Sequence, residues 1–261
     1  MNSFFRFVMV GLLVACLCPL AAAQNILSES FDTDVADATA FAAAYPGMEV
    51  VAIDQTAGGN QVIPGIVSVV GGVLNSAQTG PPASVSVNDD YTYVQSIQSF
   101  TNVQKVTGQV GQITGSGCCT AGIAVGNRVF GMFFGHTEMR VDVKQLTPTE
   151  NSIVGQARTT SASIPLNQLV DFEINVDHNA QTVLVTIAGH PFTDLSPFTF
   201  ADLEDNTGDP FTPDGPVGFA LTDNTSSAIY DNLNVVVPEP ATLSLVGMAA
   251  GLMLLARRRR S

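Results

Sequence analysis

Tryptophan is absent from the sequence, and charged residues are scarce: Asp, Glu, Lys and Arg together make up 13% of the 261 residues. So low a charged fraction, combined with 23 glycines and 14 prolines, argues against a coiled coil or a long helical bundle. Residues 24–237 hold 22 of the 23 carboxylates but 5 of the 10 basic residues, a net charge of −17. Such a segment repels phosphate backbones, so nucleic acid is not an expected partner.

Common catalytic and metal-binding motifs are missing as well. His136, His178 and His190 are scattered, without the i, i+4 spacing or the neighbouring cysteine of a zinc site. There is no G-x-S-x-G nucleophile elbow and no C-x-x-C redox motif. The lack of tryptophan also counts against a lectin, because sugar faces commonly stack on aromatic rings. We expect no cofactor, apart from the calcium considered below.

The N-terminus has the organisation of a secretory signal peptide. Arg6 supplies a positive charge, residues 7–20 form an apolar run, and residues 21–23 fit an A-x-A cleavage site through Ala21 and Ala23. We expect signal peptidase to remove residues 1–23. A retained membrane anchor is one alternative. A lipoprotein signal is another, because residues 13–16 resemble a bacterial lipobox that ends at Cys16.

The C-terminus combines an apolar segment with a basic cluster. Residues 241–256 carry no charge, and as a helix they would span about 24 Å, slightly less than a hydrocarbon core. We expect a transmembrane helix over 241–256, stopped by a cluster of four arginines that stays cytoplasmic. These are Arg257, Arg258, Arg259 and Arg260. A plain tail anchor is the alternative to a processed signal.

Pro238, Glu239 and Pro240 stand directly before this apolar segment. The order of Pro-Glu-Pro, apolar helix and terminal arginines over residues 238–261 resembles the PEP-CTERM sorting signal. The resemblance implies that a membrane protease-transpeptidase, the exosortase, recognises the motif and releases or transfers the body of the protein. It also implies export to the cell surface or to a polysaccharide-rich biofilm matrix. The two prolines keep the segment extended, as a protease substrate requires.

The body of the chain alternates apolar and polar residues with period two, which predicts β-strands. The clearest case is a hairpin over 171–187, in which Phe172, Ile174 and Val176 face one way and the acids of the same strand face the other. One short helix is expected after Asp34 as its N-cap, ending at Pro46. The other strands are expected at 62–70, 84–87, 92–100, 103–113, 121–125, 129–134, 138–143, 152–158, 217–221 and 229–237. We predict an all-β fold, one antiparallel β-sandwich or jelly roll over residues 24–237.

Several segments resemble the concanavalin A-like (laminin G-like) jelly-roll superfamily. Residues 29–34 look like its opening strand, the 171–188 hairpin with Gly189 like its paired strands, and 217–221 and 230–235 like its closing strands. The resemblance implies that the first and last strands pair. It also suggests contact with glycans or with matrix.

A glycosidase on this fold would need two carboxylates about 5–10 Å apart across a cleft. The usual Glu-x-Asp-x-x-Glu motif is missing, and the acids of the nearest stretch, residues 171–177, share the solvent face. We therefore expect a non-catalytic structural or adhesive protein, with polysaccharide as its candidate ligand and a purely structural role as an open alternative. A divergent glycoside hydrolase or lyase is the alternative.

Three further groups of residues are candidate sites. Asp89, Tyr91 and Tyr93 could bind a sugar, with core packing of the tyrosines as the alternative. Asp32 and Asp34, or the acids of 202–209, could bind calcium through hard oxygen ligands, with solvated acidic loops as the alternative. Cys118 and Cys119 are adjacent and could form a vicinal disulfide or remain thiols.

Overall fold

The computed structural model describes residues 23–54, 59–60, 67–77, 90–114, 121–132, 139–145, 153–159, 164–191, 197–205, 207–221 and 227–238. Residues Asn25–Val236 form one compact unit. The chain ends, Met1–Gln24 and Val237–Ser261, belong to a second unit, of which residues 23, 24, 237 and 238 are described.

The described residues contain 17 strands, one α-helix and one 3-10 helix. The strands are β1 (Ala23–Glu29), β2 (Met48–Asp54), β3 (Gly59–Asn60), β4 (Val67–Val70), β5 (Val73–Ala77), β6 (Asp90–Ser96), β7 (Lys105–Thr114), β8 (Ala121–Val125), β9 (Arg128–Met132), β10 (Met139–Gln145), β11 (Ile153–Thr159), β12 (Val170–Asp177), β13 (Thr182–Ile187), β14 (His190–Pro191), β15 (Phe198–Thr199), β16 (Val217–Leu221) and β17 (Ser227–Pro238). The helices are α1 (Ala38–Ala44) and the 3-10 helix Ala201–Leu203.

The strands form two sheets. Sheet A has the order β14-β13-β12-β7-β17-β5-β4, with β1 paired to β17 and β15 paired to β13. Sheet B has the order β11-β10-β9-β8-β16-β6-β2-β3. The strand pairs with a described register are antiparallel, as in β12 with β7 and β16 with β8. The predicted all-β sandwich with one short helix is confirmed. The first strand pairs with the last, but this first strand is Ala23–Glu29 and not the expected segment 29–34.

The main core lies between the inner faces of the two sheets. Phe219 of sheet B stacks on Tyr230 of sheet A, with ring centroids 4.5 Å apart, and meets Phe172 edge to face at 6.4 Å. The Tyr230 hydroxyl donates to the carbonyl of Ala220 at 2.7 Å, and burial raises the pKa of Tyr230 far above its usual range. Each such ring contributes about 1.5–3 kcal/mol through its removal from water.

The predicted hairpin is confirmed as β12 and β13. Ile174 pairs with Val185, so that the apolar residues of both strands face the core together. The Asp177 carboxylate accepts the backbone N–H groups of Asn179 and Ala180 at 2.9 Å and thereby shapes the turn.

The segment before β2 differs from the expectation. Strand β1 ends at Glu29, and residues 30–34, which were expected to continue the opening strand, lie outside any strand and are exposed apart from Phe31. Phe31 is fully buried and packs edge to face on Tyr45 at 5.4 Å, which anchors this segment to the core. Asp37, rather than Asp34, is the N-cap of α1, because its Oδ1 accepts the N–H of Ala40 at 2.9 Å.

Strands β2 and β5 were not expected from the sequence. Strand β5 has polar residues at Asn75 and Ser76 and follows two glycines, a composition typical of a loop, but tertiary pairing with β4 and β17 holds it in the sheet.

None of the helices in the described part of the chain has the length and apolar character of a membrane span. The expected span at 241–256 and the strand expected at 84–87 lie outside that part.

Candidate functional site

The outer face of sheet A carries polar side chains in rows across three strands. Partners that lie directly opposite each other in an antiparallel pair point to the same face. Asp171 of β12 lies opposite Gln109 of β7, which lies opposite Asp231 of β17. The intervening residue of β12, Phe172, faces the core. The next outer row joins β12, β7 and β17 in the same way through Glu173, Thr107 and Asn234.

Hydrogen bonds link the first row into a chain. The Gln109 Nε2 donates to Oδ1 of Asp171 at 2.9 Å. The Asn232 Nδ2 donates to Oε1 of Gln109 at 3.3 Å and to Oδ2 of Asp231 at 2.8 Å. These contacts fix the orientation of the Gln109 amide between the two carboxylates.

A β-bulge in β17 forms one side of this polar surface. The register of β17 against β7 shifts between Asp231 and Asn234. Within the bulge Asn232 has a φ of 54°, in the left-handed region that asparagine tolerates better than most residues. Its carbonyl approaches Gly108 of β7, where an added Cβ would lie 3.1 Å from that oxygen and 2.9 Å from the Phe172 ring. Glycine at 108 therefore allows the bulge to pack over the sheet.

Glu173 is held as a carboxylate by two donors. The Lys105 Nζ lies 2.7 Å from Oε2, and the Asn175 Nδ2 donates to Oε1 at 2.6 Å. Lys105 first, and then Asn175, lower the pKa of Glu173. The Lys105–Glu173 pair is 38% exposed on both sides, so its effect on stability is small.

These strands surround an open depression of about 550 Å³, here called the polar trough. Its lining includes Thr107, Gln109, Asp171, Glu173, Thr186 and Asn234. The volume falls in the range of small-ligand sites. Hydroxyl, amide and carboxylate groups can together accept and donate several hydrogen bonds. The trough is therefore chemically suited to a polyhydroxylated ligand.

Tyr93 lies on the outer face of sheet B. Phe219 points into the core, so its neighbour Ala220 and the opposite residue Tyr93 point away from it. Tyr93 is 2% exposed and belongs to a buried apolar cluster with Ala124, Val129 and Ala220. Tyr91 belongs to the same strand, β6, while Asp89 lies outside the described residues. Of the three residues expected to bind a sugar, Tyr93 is the one whose side chain the structure describes, and this side chain is buried in the apolar cluster.

The aspartates expected to bind calcium are engaged by protein donors. Asp32 Oδ2 accepts the Ser30 hydroxyl at 2.7 Å, and Asp34 Oδ1 accepts the N–H of Gly71 at 2.8 Å. Among the described residues, no three His, Cys, Asp or Glu side chains are grouped as a metal site.

The acidic loop around residues 202–209 encloses a guanidinium group. Arg128 Nη2 lies 3.9 Å from Oδ2 of Asp205 and donates to the carbonyl of Asp209 at 2.8 Å, while Nε donates to the carbonyl of Leu203 at 2.8 Å. The Thr207 hydroxyl, together with backbone N–H donors and Arg128, lowers the pKa of Asp205. Positive charge at this loop thus comes from the chain itself.

The remaining expected residues lie at or beyond the limits of the described chain. Ala23 is the first residue of β1 and Pro238 the last of β17. The others are Ala21, Cys118, Cys119, Glu239, Pro240, Arg257, Arg258, Arg259 and Arg260, which are all outside the described residues.

Gln109, Asn232 and Asn234 were not singled out from the sequence. Their signal is a broken alternation in the closing strand, where residues 231, 232 and 234 are all polar. This pattern is typical of a bulge. The partner Gln109 lies more than 100 residues earlier in the chain, and its role depends on the register of the sheet.

No family model and no curated protein matches the chain. The catalytic domain of an endo-1,3-β-glucanase (laminarinase) from Thermotoga petrophila is similar in structure, with a TM-score of 0.54, 12% identity, and coverage of 85% of this chain and 100% of that one. A non-specific endo-β-1,3(4)-glucanase from family GH16 gives a TM-score of 0.53, 15% identity, and coverage of 83% and 95%. A protein of unknown function with a galectin-like fold, from Bacillus subtilis, gives a TM-score of 0.50 and 9% identity, with coverage of 82% of this chain and 97% of that one. These matches show the fold alone: the chain has a two-sheet antiparallel β-sandwich similar to that of these glucanases.

Proposed function

We propose that this chain is an exported cell-envelope or matrix protein whose β-sandwich binds polysaccharide in the polar trough without cleaving it. The trough itself carries the proposal, because its amides, hydroxyls and carboxylates lie on the rigid face of a sheet and match the hydrogen-bonding groups of a sugar chain. The similar structures include two glucanases, which supports a glycan as the ligand class.

The carboxylates of the trough are poorly suited to hydrolysis. Asp171 and Glu173 are two residues apart on β12, about 7 Å along the strand, which is a separation that a glycosidase could use. A general acid, however, must stay protonated, usually in an apolar pocket. The pKa of Glu173 is lowered by Lys105, and Asp171 is exposed to solvent beside the Gln109 amide. We therefore propose binding rather than catalysis.

The carboxylates on the outer face of sheet B are also poorly placed for hydrolysis. Strand alternation places Glu49 of β2 and Asp142 of β10 on this face, and they are the carboxylates found there within the described residues. Five inter-strand spacings separate them, about 24 Å, which is too far for a catalytic pair.

Binding is tested with a glycan array and the full chain, comparing Gln109→Ala with Gln95→Ala. Gln109 lines the trough and donates to Asp171, whereas Gln95 of β6 donates to Glu49 on sheet B at 2.9 Å. We expect Gln109→Ala to weaken glycan binding about fivefold to tenfold and Gln95→Ala to leave it unchanged. Silence of the wild-type protein across the array would refute glycan binding, and turnover of any polysaccharide that one Asp or Glu substitution abolishes would favour the hydrolase.

Sorting is the second part of the proposal and rests on the sequence of the chain ends. We expect signal peptidase to leave Gln24 as the N-terminus and an exosortase to act at Pro238-Glu239-Pro240. Replacing both prolines by alanine should leave residues 241–261 attached, as intact mass spectrometry of the exported protein would show. Recovery of the uncut wild-type chain from the cytosol would contradict export.

A further inference from the structure

The charges of the polar trough distinguish between classes of glycan. We propose that the trough selects polysaccharides that carry free amino groups, such as glucosamine polymers, over neutral and anionic ones. This inference rests on the proposed glycan binding and adds the chemical class of the ligand.

The trough carboxylate Glu173 is already neutralised by a lysine beside the trough. Lys105 lies 2.7 Å from Glu173, so this pair contributes no net charge to a ligand. Asp171 has no such partner in the described structure. Its Oδ1 accepts the neutral Gln109 amide, and no protein donor described here contacts its Oδ2. Asp171 is exposed and lines the trough.

A second uncompensated carboxylate lies nearby. Asp231 is on the far side of Gln109, about 10 Å from Asp171 across two strand spacings. Its oxygens accept from the backbone and side-chain amide groups of Asn232, which are also neutral. The row therefore presents two negative charges on either side of one amide.

This arrangement matches an amino sugar. An ammonium group on the ligand can pair with Asp171, while ring hydroxyls can exchange hydrogen bonds with Gln109, Thr107 and Asn234. Uronic acids and sulfated sugars would meet like charge in the trough, and residues 24–237 add a net charge of −17 around it. A neutral glycan gains the hydrogen bonds without the ion pair.

The test uses three tetrasaccharides of equal length: β-1,4-linked glucosamine, its fully N-acetylated form, and cellotetraose. Calorimetry with the full chain should give glucosamine tetrasaccharide about fivefold tighter binding than the other two at low salt. Because the preference is electrostatic, it should decrease as ionic strength rises.

Asp171→Asn is the diagnostic variant. It keeps an oxygen that can accept the Gln109 amide but removes the charge that pairs with the ammonium group, so the ratio of the affinities for the glucosamine and N-acetylated ligands should fall towards one. Asp177→Asn is the matched control: it lies on the same strand, is exposed, loses the same charge, and can still accept the turn N–H groups. It should keep the wild-type ratio.

The outcomes separate the inference from the proposed function. Equal binding of the three ligands would overturn the amino-sugar preference and leave glycan binding standing. A preference that keeps its full wild-type size in Asp171→Asn, or that falls equally in Asp177→Asn, would assign the preference to bulk charge and overturn the inference. Binding of no ligand in this set and of none on the array would overturn both. The salt dependence of the wild-type protein tests the preference even if Asp171→Asn is unstable.

Discussion

Arg128 and Asp205 form an ion pair in which both side chains are 1% exposed, with Nη2 and Oδ2 3.9 Å apart. The guanidinium also donates to the carbonyls of Leu203 and Asp209. Arg128 thus connects β9 of sheet B to the loop that leads into β16. A charge at this depth is tolerated because every side of the guanidinium has an acceptor.

Removal of Arg128 should destabilise the fold strongly. Arg128→Met removes the ion-pair partner of Asp205 and leaves the carbonyls of Asn127, Leu203 and Asp209 without this donor, so we expect a loss of about 3–5 kcal/mol in the free energy of unfolding. Lys105→Met is the control, because its ion pair with Glu173 is 38% exposed and should cost less than about 1 kcal/mol. Urea unfolding measures both, and equal effects would contradict the buried role of Arg128.

Ionisation of Glu29 should lower the free energy of unfolding, whereas ionisation of Asp205 should raise it. Burial, and then Asp32, raise the pKa of Glu29 above its usual 4.5, so its ionisation opposes folding once the pH exceeds that value. Glu29→Gln should therefore stabilise the protein near neutral pH, and the gain should vanish at about pH 3, where the carboxyl is protonated in both states.

The pKa of Asp205 is lowered below its usual 3.8, so the stability it provides is complete above that value and is lost as the pH falls through the folded-state pKa. Asp205→Asn should therefore destabilise the protein near neutral pH, by an amount that shrinks in acid. Urea unfolding of the two variants at both pH values checks the signs. A change of the same sign in both would contradict the assignment.

The hairpin and the trough show what could be predicted from the sequence. The β12–β13 hairpin depends on local alternation and on a turn of four residues, so residues 171–187 were sufficient to predict it. The trough depends on the register of β12, β7 and β17, whose facing residues Gln109, Asp171 and Asp231 are separated by 60 residues or more along the chain. The acids of β12 were assigned correctly to the solvent face, but alternation alone could not show which amides lie beside them.

The predicted N-cap of the helix, Asp34, lies about one turn before the observed N-cap, Asp37. The sequence does not distinguish the two, because both precede the apolar run. Asp37→Ala should cost about 1 kcal/mol, since the Ala40 N–H loses its acceptor at 2.9 Å. Hydrogen exchange at Ala40 should accelerate in Asp37→Ala and stay unchanged in Asp34→Ala, because Asp34 accepts from Gly71. Faster exchange at Ala40 in Asp34→Ala would restore the predicted cap.

Substitution of Tyr93 should affect stability, whereas substitution of Gln109 should affect glycan binding. Tyr93 is buried with Ala124, Val129 and Ala220, so Tyr93→Ala should lower the free energy of unfolding by about 3–5 kcal/mol. Glycan affinity per folded molecule should not change, because Tyr93 lies on sheet B and the trough on sheet A. Gln109→Ala should do the reverse, with a stability change within about 1 kcal/mol and weakened binding. Chemical unfolding and calorimetry at a temperature where both variants are folded measure the two quantities. If Tyr93→Ala lost affinity while Gln109→Ala kept it, the ligand would bind sheet B, and the tyrosine would act through its ring.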